Sequence, residues 1–302
     1  MPIGELTFSS ALTTWHFDLS STLLACAAAV TYLSLARGSR IGVGSRAAFV
    51  AGCAVWWVTA NGFVAVYGEV LFWVRALEFV LLTLVAGFLL AAGRPVSAIA
   101  SHRRSRWTLV HLGRSRAARW LLSPLATSAL MLVTPWLLFL SPWYAAVNDD
   151  PAVDQVTQTV LVLVGAVYFY ARLQVDPVPR HRHAGLSLVI ATAETLGDGL
   201  LGVALWQGGV LAEVVQQALQ RDWGPSPRTD QTIGAGVLWV LGDVVGLPFL
   251  MFLFTRWRVD DERSADRIDA ATAPSPEPDG TATTERPWFL DDPELADRLR
   301  RR

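Results

Sequence analysis

Apolar residues in this chain are gathered into seven blocks, each about as long as a bilayer is thick. They run over about 19–36, 46–67, 70–92, 121–142, 155–174, 185–206 and 232–255. A helix rises 1.5 Å per residue, so roughly 20 apolar residues cross a hydrocarbon core of about 30 Å. In lipid each backbone polar group must be satisfied inside its own segment, which leaves the helix as the economical form for such blocks. The pattern predicts an all-α polytopic membrane protein, a bundle of seven transmembrane helices. Total composition would not decide this: 52% of the 302 residues are hydrophobic, close to a soluble protein's roughly 45–50%. Distribution decides, because most of the charge is gathered between the blocks.

The links also give an orientation. Arg37, Arg40 and Arg46 lie between blocks one and two. Arg94, Arg103, Arg104, Arg106, Arg114, Arg116 and Arg119 lie between three and four. Arg172, Arg180 and Arg182 lie between five and six, and Arg256 and Arg258 follow block seven. The alternate links carry Arg221 and Arg228 alone, among Glu69, Asp149 and Asp150. Basic residues stay on the cytoplasmic side, so the N-terminus is expected outside, the C-terminus inside, and the protein in a bacterial plasma membrane. All the basic residues are Arg, which reads as codon bias in a GC-rich genome. Net charge is −1, which disfavours nucleic acid as a partner. The first 18 residues lack a basic start followed at once by an apolar core, so no cleavable signal peptide is expected.

Residues 1–258 are read as the membrane domain and 259–302 as a cytoplasmic tail. The tail is rich in Ala, Thr, Pro, Ser and acid and is expected to be mostly disordered. A short terminal helix is predicted where Asp292 and Pro293 supply start signals; its apolar residues fit either docking or a loose end. Ser101–Trp120 alternates arginine with Trp107, Leu109, Val110 and Leu112. It reads either as an amphipathic helix on the anionic inner leaflet of the lipid bilayer or as an ordinary basic loop. Val210, Leu211, Val214, Val215, Ala218 and Leu219 are expected on one helical face capping the outer mouth.

Against this background, charge inside a block stands out. A charged side chain in a span costs at least ~2.5–3.5 kcal/mol on insertion scales and is expected to face the bundle interior and pair. Arg75 and Glu78 share a face of block three. Depth counting from the helical rise places Asn61, Asp154, Gln158, Asp198 and Glu194 in the outer half, or near the midplane for Glu194. Asp230 and Gln231 are expected at the outer start of block seven, and Asp243 near its middle. Together these ten residues form the candidate outer polar pocket. It is either an ion-pair network that fixes helix packing or a cavity binding a cation, a metal or protons.

Sulfur and imidazole are sparse. Cys26 and Cys53 fall at different depths by the same counting and are not expected to meet. His16 is the one histidine on the outer side, and it is the candidate metal residue. No phosphate loop, zinc-protease or serine-hydrolase motif is present, so the chain is read as a non-enzyme.

Certain runs resemble a known family. Asp230-Gln231-Thr232-Ile233-Gly234-Ala235-Gly236-Val237-Leu238-Trp239, with Gly242-Asp243, Arg256-Trp257 and Asp260-Asp261-Glu262-Arg263, is similar to the last span of the CtaG family. These are caa3-type cytochrome c oxidase assembly proteins of bacteria. Leu81–Val96 resembles the family's third span, Leu163–Pro177 its fifth, and Asp292–Ala296 an actinobacterial C-terminus. The resemblance implies an assembly factor with cytochrome c oxidase subunits as partners and copper delivery as the family role. It also implies copper-ligating histidines near the outer ends of the spans. Those places hold Arg75 and Phe79 in span three, Asp154, Gln158 and Val160 in span five, and Asp198 in span six. One arginine and two carboxylates thus stand where neutral ligands are expected, and a salt-bridged plug is the corresponding expectation, with the chain as a scaffold-like paralogue. From a different class, the buried carboxylates alone fit a small cation or proton transporter or channel.

Overall fold

The computed structural model describes residues 4–39, 41–101, 115–173, 184–242 and 244, and all regular structure among them is helical. The chain separates into Met1–Leu253 and Phe254–Arg302. The second unit, and with it the expected tail and terminal helix, lies outside the described residues, as does most of the expected amphipathic helix over 101–120.

A short helix α1, Phe8–Thr13, precedes α2, Leu19–Ala36. Asp18 starts α2 by accepting the N–H groups of Ser20 and Ser21, which satisfies two donors that a helix start leaves open. Helix α3, Val43–Asn61, returns alongside. Trp57 donates to the Thr22 hydroxyl at 3.1 Å, and Tyr32 stacks on Phe49, so α2 and α3 are antiparallel.

The second block is not one straight helix. It breaks at Gly62, where the N–H bonds to Val58 O at 2.7 Å and a Cβ would lie 2.6 Å from that same oxygen. Helix α4, Phe63–Gly68, follows as a separate piece. The break corrects the expected continuous span over 46–67.

Helix α5 is Phe72–Val80, continued by a π-helical turn Leu81–Ala86 and by Gly87–Ala92; Arg94, at φ 58°, separates it from α6, Pro95–Ala100. Helices α7, Arg116–Leu121, and α8, Pro124–Leu140, each start on a serine cap. Helix α9, Trp143–Asp149, turns away from α8 by 66°. Helices α10, Pro151–Leu173, and α11, Ala184–Gln207, follow. Helix α12, Ala212–Leu219, is bent 62° from the end of α11. Helix α13, Pro227–Gly236, continues as a π turn Val237–Leu241.

Among the described residues, four stretches are long and apolar enough to cross a membrane: 19–36, 43–61, 72–100 and 151–173. The α8–α9 and α11–α12 pairs raise the number to six if each bent pair counts as one span. The expected seventh block is described only as far as residue 244.

Helices α5 and α10 form the tightest contact. A Cβ on Gly165 would overlap the Thr83 carbonyl, and one on Gly87 would lie 2.5 Å from the Gly165 backbone. Small residues allow such backbone approach in a membrane, where apolar side chains gain little by leaving lipid. Of the span-seven glycines, Gly234 admits the Phe72 ring, whereas Gly236 and Gly242 have open space around their Cα atoms. Close packing therefore needs glycine at 234 only, among those described.

Candidate functional site

Helix α5 presents Arg75 and Glu78 one turn apart, on the face that meets α10. Arg75 Nη1 lies 2.7 Å from Glu78 Oε2 and 2.7 Å from Asp154 Oδ1. Gln158, one turn along α10, donates to Asp154 Oδ2 at 3.0 Å. Arg75, Glu78 and Gln158 are buried, while the Asp154 side chain keeps 26% exposure. Gly68 closes the other side: a Cβ there would sit 3.6 Å from both the guanidinium and the Glu78 carboxylate. Glu78 Oε1 and Arg75 Nε are buried with no hydrogen-bond partner.

A chain of polar contacts leads from this cluster to the surface. Ser21 Oγ is 2.7 Å from Gln155 Oε1 and 3.4 Å from Gln158 Oε1; Ser20 Oγ is 2.6 Å from Asp18 Oδ1 and 3.0 Å from Gln155 Oε1. Burial alone would raise the Asp18 carboxyl. The hydroxyls and N–H groups of Ser20 and Ser21 outweigh it and hold the group below the usual carboxylate range. Sequence reasoning missed Ser20, Ser21 and Gln155. Their signals were the Asp-Leu-Ser-Ser helix start and the place of Gln155 between Asp154 and Gln158.

Asn61 belongs to the same end of the bundle but serves a different purpose. Its side chain donates to Trp57 O and accepts from Asp18 N–H at 2.8 Å, and its carbonyl accepts from His16 N–H at 2.8 Å. It ties the entry segment to the end of α3 where that helix breaks. The His16 side chain is exposed. Among the described residues, no three His, Cys, Asp or Glu side chains converge as metal ligands.

Asp230 and Gln231, expected at the outer start of block seven, are buried within α13. Asp230 accepts from Phe72 N–H at 3.1 Å and Trp73 N–H at 3.0 Å, and pairs with Arg221 at 3.1 Å. It therefore caps α5 from another helix. Gln231 donates to Leu205 O and Gly209 O and accepts from Leu211 N–H, bracing the bend between α11 and α12. Neither joins the hydrogen bonds around Arg75.

Glu194 is also placed elsewhere. Arg172 Nη2 donates to Glu194 Oε1 at 2.6 Å and to Ser128 Oγ at 2.7 Å, and Tyr168 donates to Glu194 Oε2 at 3.2 Å. Asp154 and Arg172 lie near opposite ends of α10, so this is a second cluster at the other end of the bundle. Buried Leu82, Ala86, Leu161 and Val162 lie between the two. The single outer pocket predicted from sequence is thus two clusters and a set of helix ties. The Asp198 side chain and the whole of Asp243 lie outside the described residues.

Helix α12 has its expected apolar face only in part. Val214 is buried with Gln217, while Leu219 is 81% exposed. Gln217 accepts from Tyr144 O–H at 3.2 Å and lines a cleft of about 290 Å³ with Glu69, Asn148, Asp149 and Glu213. The cysteines, too, differ from expectation. Thr22 contacts Trp57, and Cys26 and Cys53 lie one turn further along their antiparallel helices, at similar level and both as free thiols.

The fold and these clusters define a polytopic, all-helical membrane protein with paired charges in its interior. The family model of the cytochrome c oxidase caa3 assembly factor, Caa3_CtaG, matches residues 27–260, and the chain belongs to that family. It is similar to the uncharacterized proteins Mb0105 of Mycobacterium bovis and MT0111 of Mycobacterium tuberculosis. Each is 25% identical over 278 residues, 87% of this chain and 42% of theirs. The uncharacterized protein ML1998 of Mycobacterium leprae is 24% identical over 272 residues, 85% of this chain and 41% of its own. The chain therefore spans about two-fifths of the length of these curated relatives. No solved structure matches it.

Proposed function

We propose that this protein assists cytochrome c oxidase assembly in the bacterial plasma membrane, by contact with oxidase subunits and without catalysing a reaction itself. Family membership supports the assignment. We further propose that it works as a scaffold, with no copper site at the positions where the resemblance expects histidines. The observation that carries this is the Arg75 guanidinium, paired at 2.7 Å with both Glu78 and Asp154.

Copper(I) favours thiolate, thioether and imidazole donors. The side chains around Arg75 are carboxylates and an amide, and a guanidinium offers no lone pair to a metal and repels it. The residues present do not fit copper. The transporter reading gains no support, because among the described residues the ion pairs on α10 lie in two clusters near its opposite ends, with apolar packing between them.

The test is a deletion strain complemented with wild type or with Arg75→Met/Glu78→Gln/Asp154→Asn. Loss of assembled oxidase on deletion, with the purified wild-type protein free of stoichiometric copper, is the expected result. Normal oxidase haem and copper content in the deletion strain would overturn the assembly role. Bound stoichiometric copper, lost in Asp154→Ala/Asp198→Ala, would overturn the scaffold reading.

A further inference from the structure

The segment before α2 is fastened to the bundle on one side and apolar on the other. Leu6 packs into the cluster of Val64, Tyr67 and Val70. Trp15 lies 5.6 Å from the Trp57 ring, and His16 N–H bonds to Asn61 O. These ties hold α1 and the 14–18 link level with the ends of α2 and α3. Helix α1 is itself closed by a reciprocal cap between Thr7 and Ser10.

On α1, Phe8 and Leu12 fall on one face at i, i+4, while Ser9 and Thr13 fall on another. Phe8 is 84% and Phe17 68% exposed; Leu12 and Trp15 are exposed as well. Exposed Leu19, Leu23 and Val30 continue this surface along α2, which is a stretch able to cross a membrane. The apolar face of the entry segment is therefore continuous with the lipid-facing surface of the first span. Its level matches the interfacial zone, where aromatic rings concentrate.

We propose that Phe8, Leu12, Trp15 and Phe17 form an interfacial anchor in the bilayer leaflet at the Asn61 end, the outer leaflet on the arginine-count orientation. The ligand is lipid, at the boundary between headgroups and acyl chains. The anchor fixes the depth at which α2 begins, and through Asn61 the depth at which α3 breaks. It does not depend on the oxidase assignment.

The test uses the full chain in phosphatidylcholine/phosphatidylglycerol nanodiscs, with a nitroxide placed in turn at positions 8, 9, 12, 13 and 17 in a Cys26→Ser/Cys53→Ala background. Labels at 8, 12 and 17 are expected to shift toward oxygen accessibility, and labels at 9 and 13 toward a water-soluble nickel chelate. Uniform water accessibility would overturn the proposal. So would labels at 8, 12 and 17 shielded from both reagents, which would mean that protein covers the face. If the cysteine-free background fails to fold, the native-cysteine protein serves: brominated lipid should quench a component of tryptophan fluorescence that Trp15→Phe removes. Identical quenching of the wild type and Trp15→Phe would overturn the proposal equally.

Discussion

The Asp230 carboxylate accepts the Phe72 N–H at 3.1 Å, so a residue of α13 caps α5 across 158 positions of sequence. Leu71, at the capping position of α5, offers no side-chain acceptor. The start of α5 therefore depends on α13 being in place, and the same carboxylate holds the buried Arg221.

Asp230→Ala removes both contacts and leaves Arg221 unpaired. Loss of a cap costs about 1 kcal/mol, and an unpaired buried charge about 3–5 kcal/mol. Unfolding in detergent is expected to show destabilisation of several kcal/mol, with Asp230→Asn intermediate.

Arg75→Met is expected to destabilise by about 3–5 kcal/mol, because it strands Glu78 and Asp154 with no counter-charge. Adding Glu78→Gln and Asp154→Asn is expected to recover most of the loss. Recovery in the triple variant distinguishes charge pairing from simple loss of the arginine's packing. A double-mutant cycle on thermal midpoints reads it.

Gly165→Ala places a methyl against the Thr83 carbonyl. Overpacking of this kind costs about 1–3 kcal/mol. Gly236→Ala, with open space around it, is expected to be neutral or slightly stabilising, since alanine is the better helix former. Comparing the two thermal midpoints checks the packing directly.

Asp18 gives a pH dependence of defined sign. Its folded value is depressed from 3.8, so its contribution is present above that value and is lost as pH falls through the folded value. Asp18→Ala is expected to cost about 1 kcal/mol at neutral pH. The gap from wild type should narrow only below about pH 4. Equal gaps at neutral pH and well below it would contradict the capping role.

The membrane character, the helical class and the isolation of Arg75 and Glu78 were legible in the sequence, because each follows from local composition and a fixed rise per residue. The pairing of Arg75 with Asp154 was also within reach, since opposite charges at similar depth have few other partners in lipid. Depth counting failed where helices are not straight. The break at Gly62 brings Cys53 level with Cys26, and α13 begins before the apolar run, which puts Asp230 and Gln231 inside a helix. Glu194 was assigned to the wrong cluster because Arg172, counted as a link residue, is the last-turn residue of α10 that reaches it.

By itself, then, the sequence determined that this chain forms apolar helices with a few charges that must find partners. The helical period and the cost of bare charge in lipid are properties of each segment alone. Only the tertiary structure decided the other partners: Glu194 for Arg172, and Arg221 and the start of α5 for Asp230. Those choices depend on helix register, which reflects close approaches such as that of Gly87 to Gly165, between segments distant in sequence.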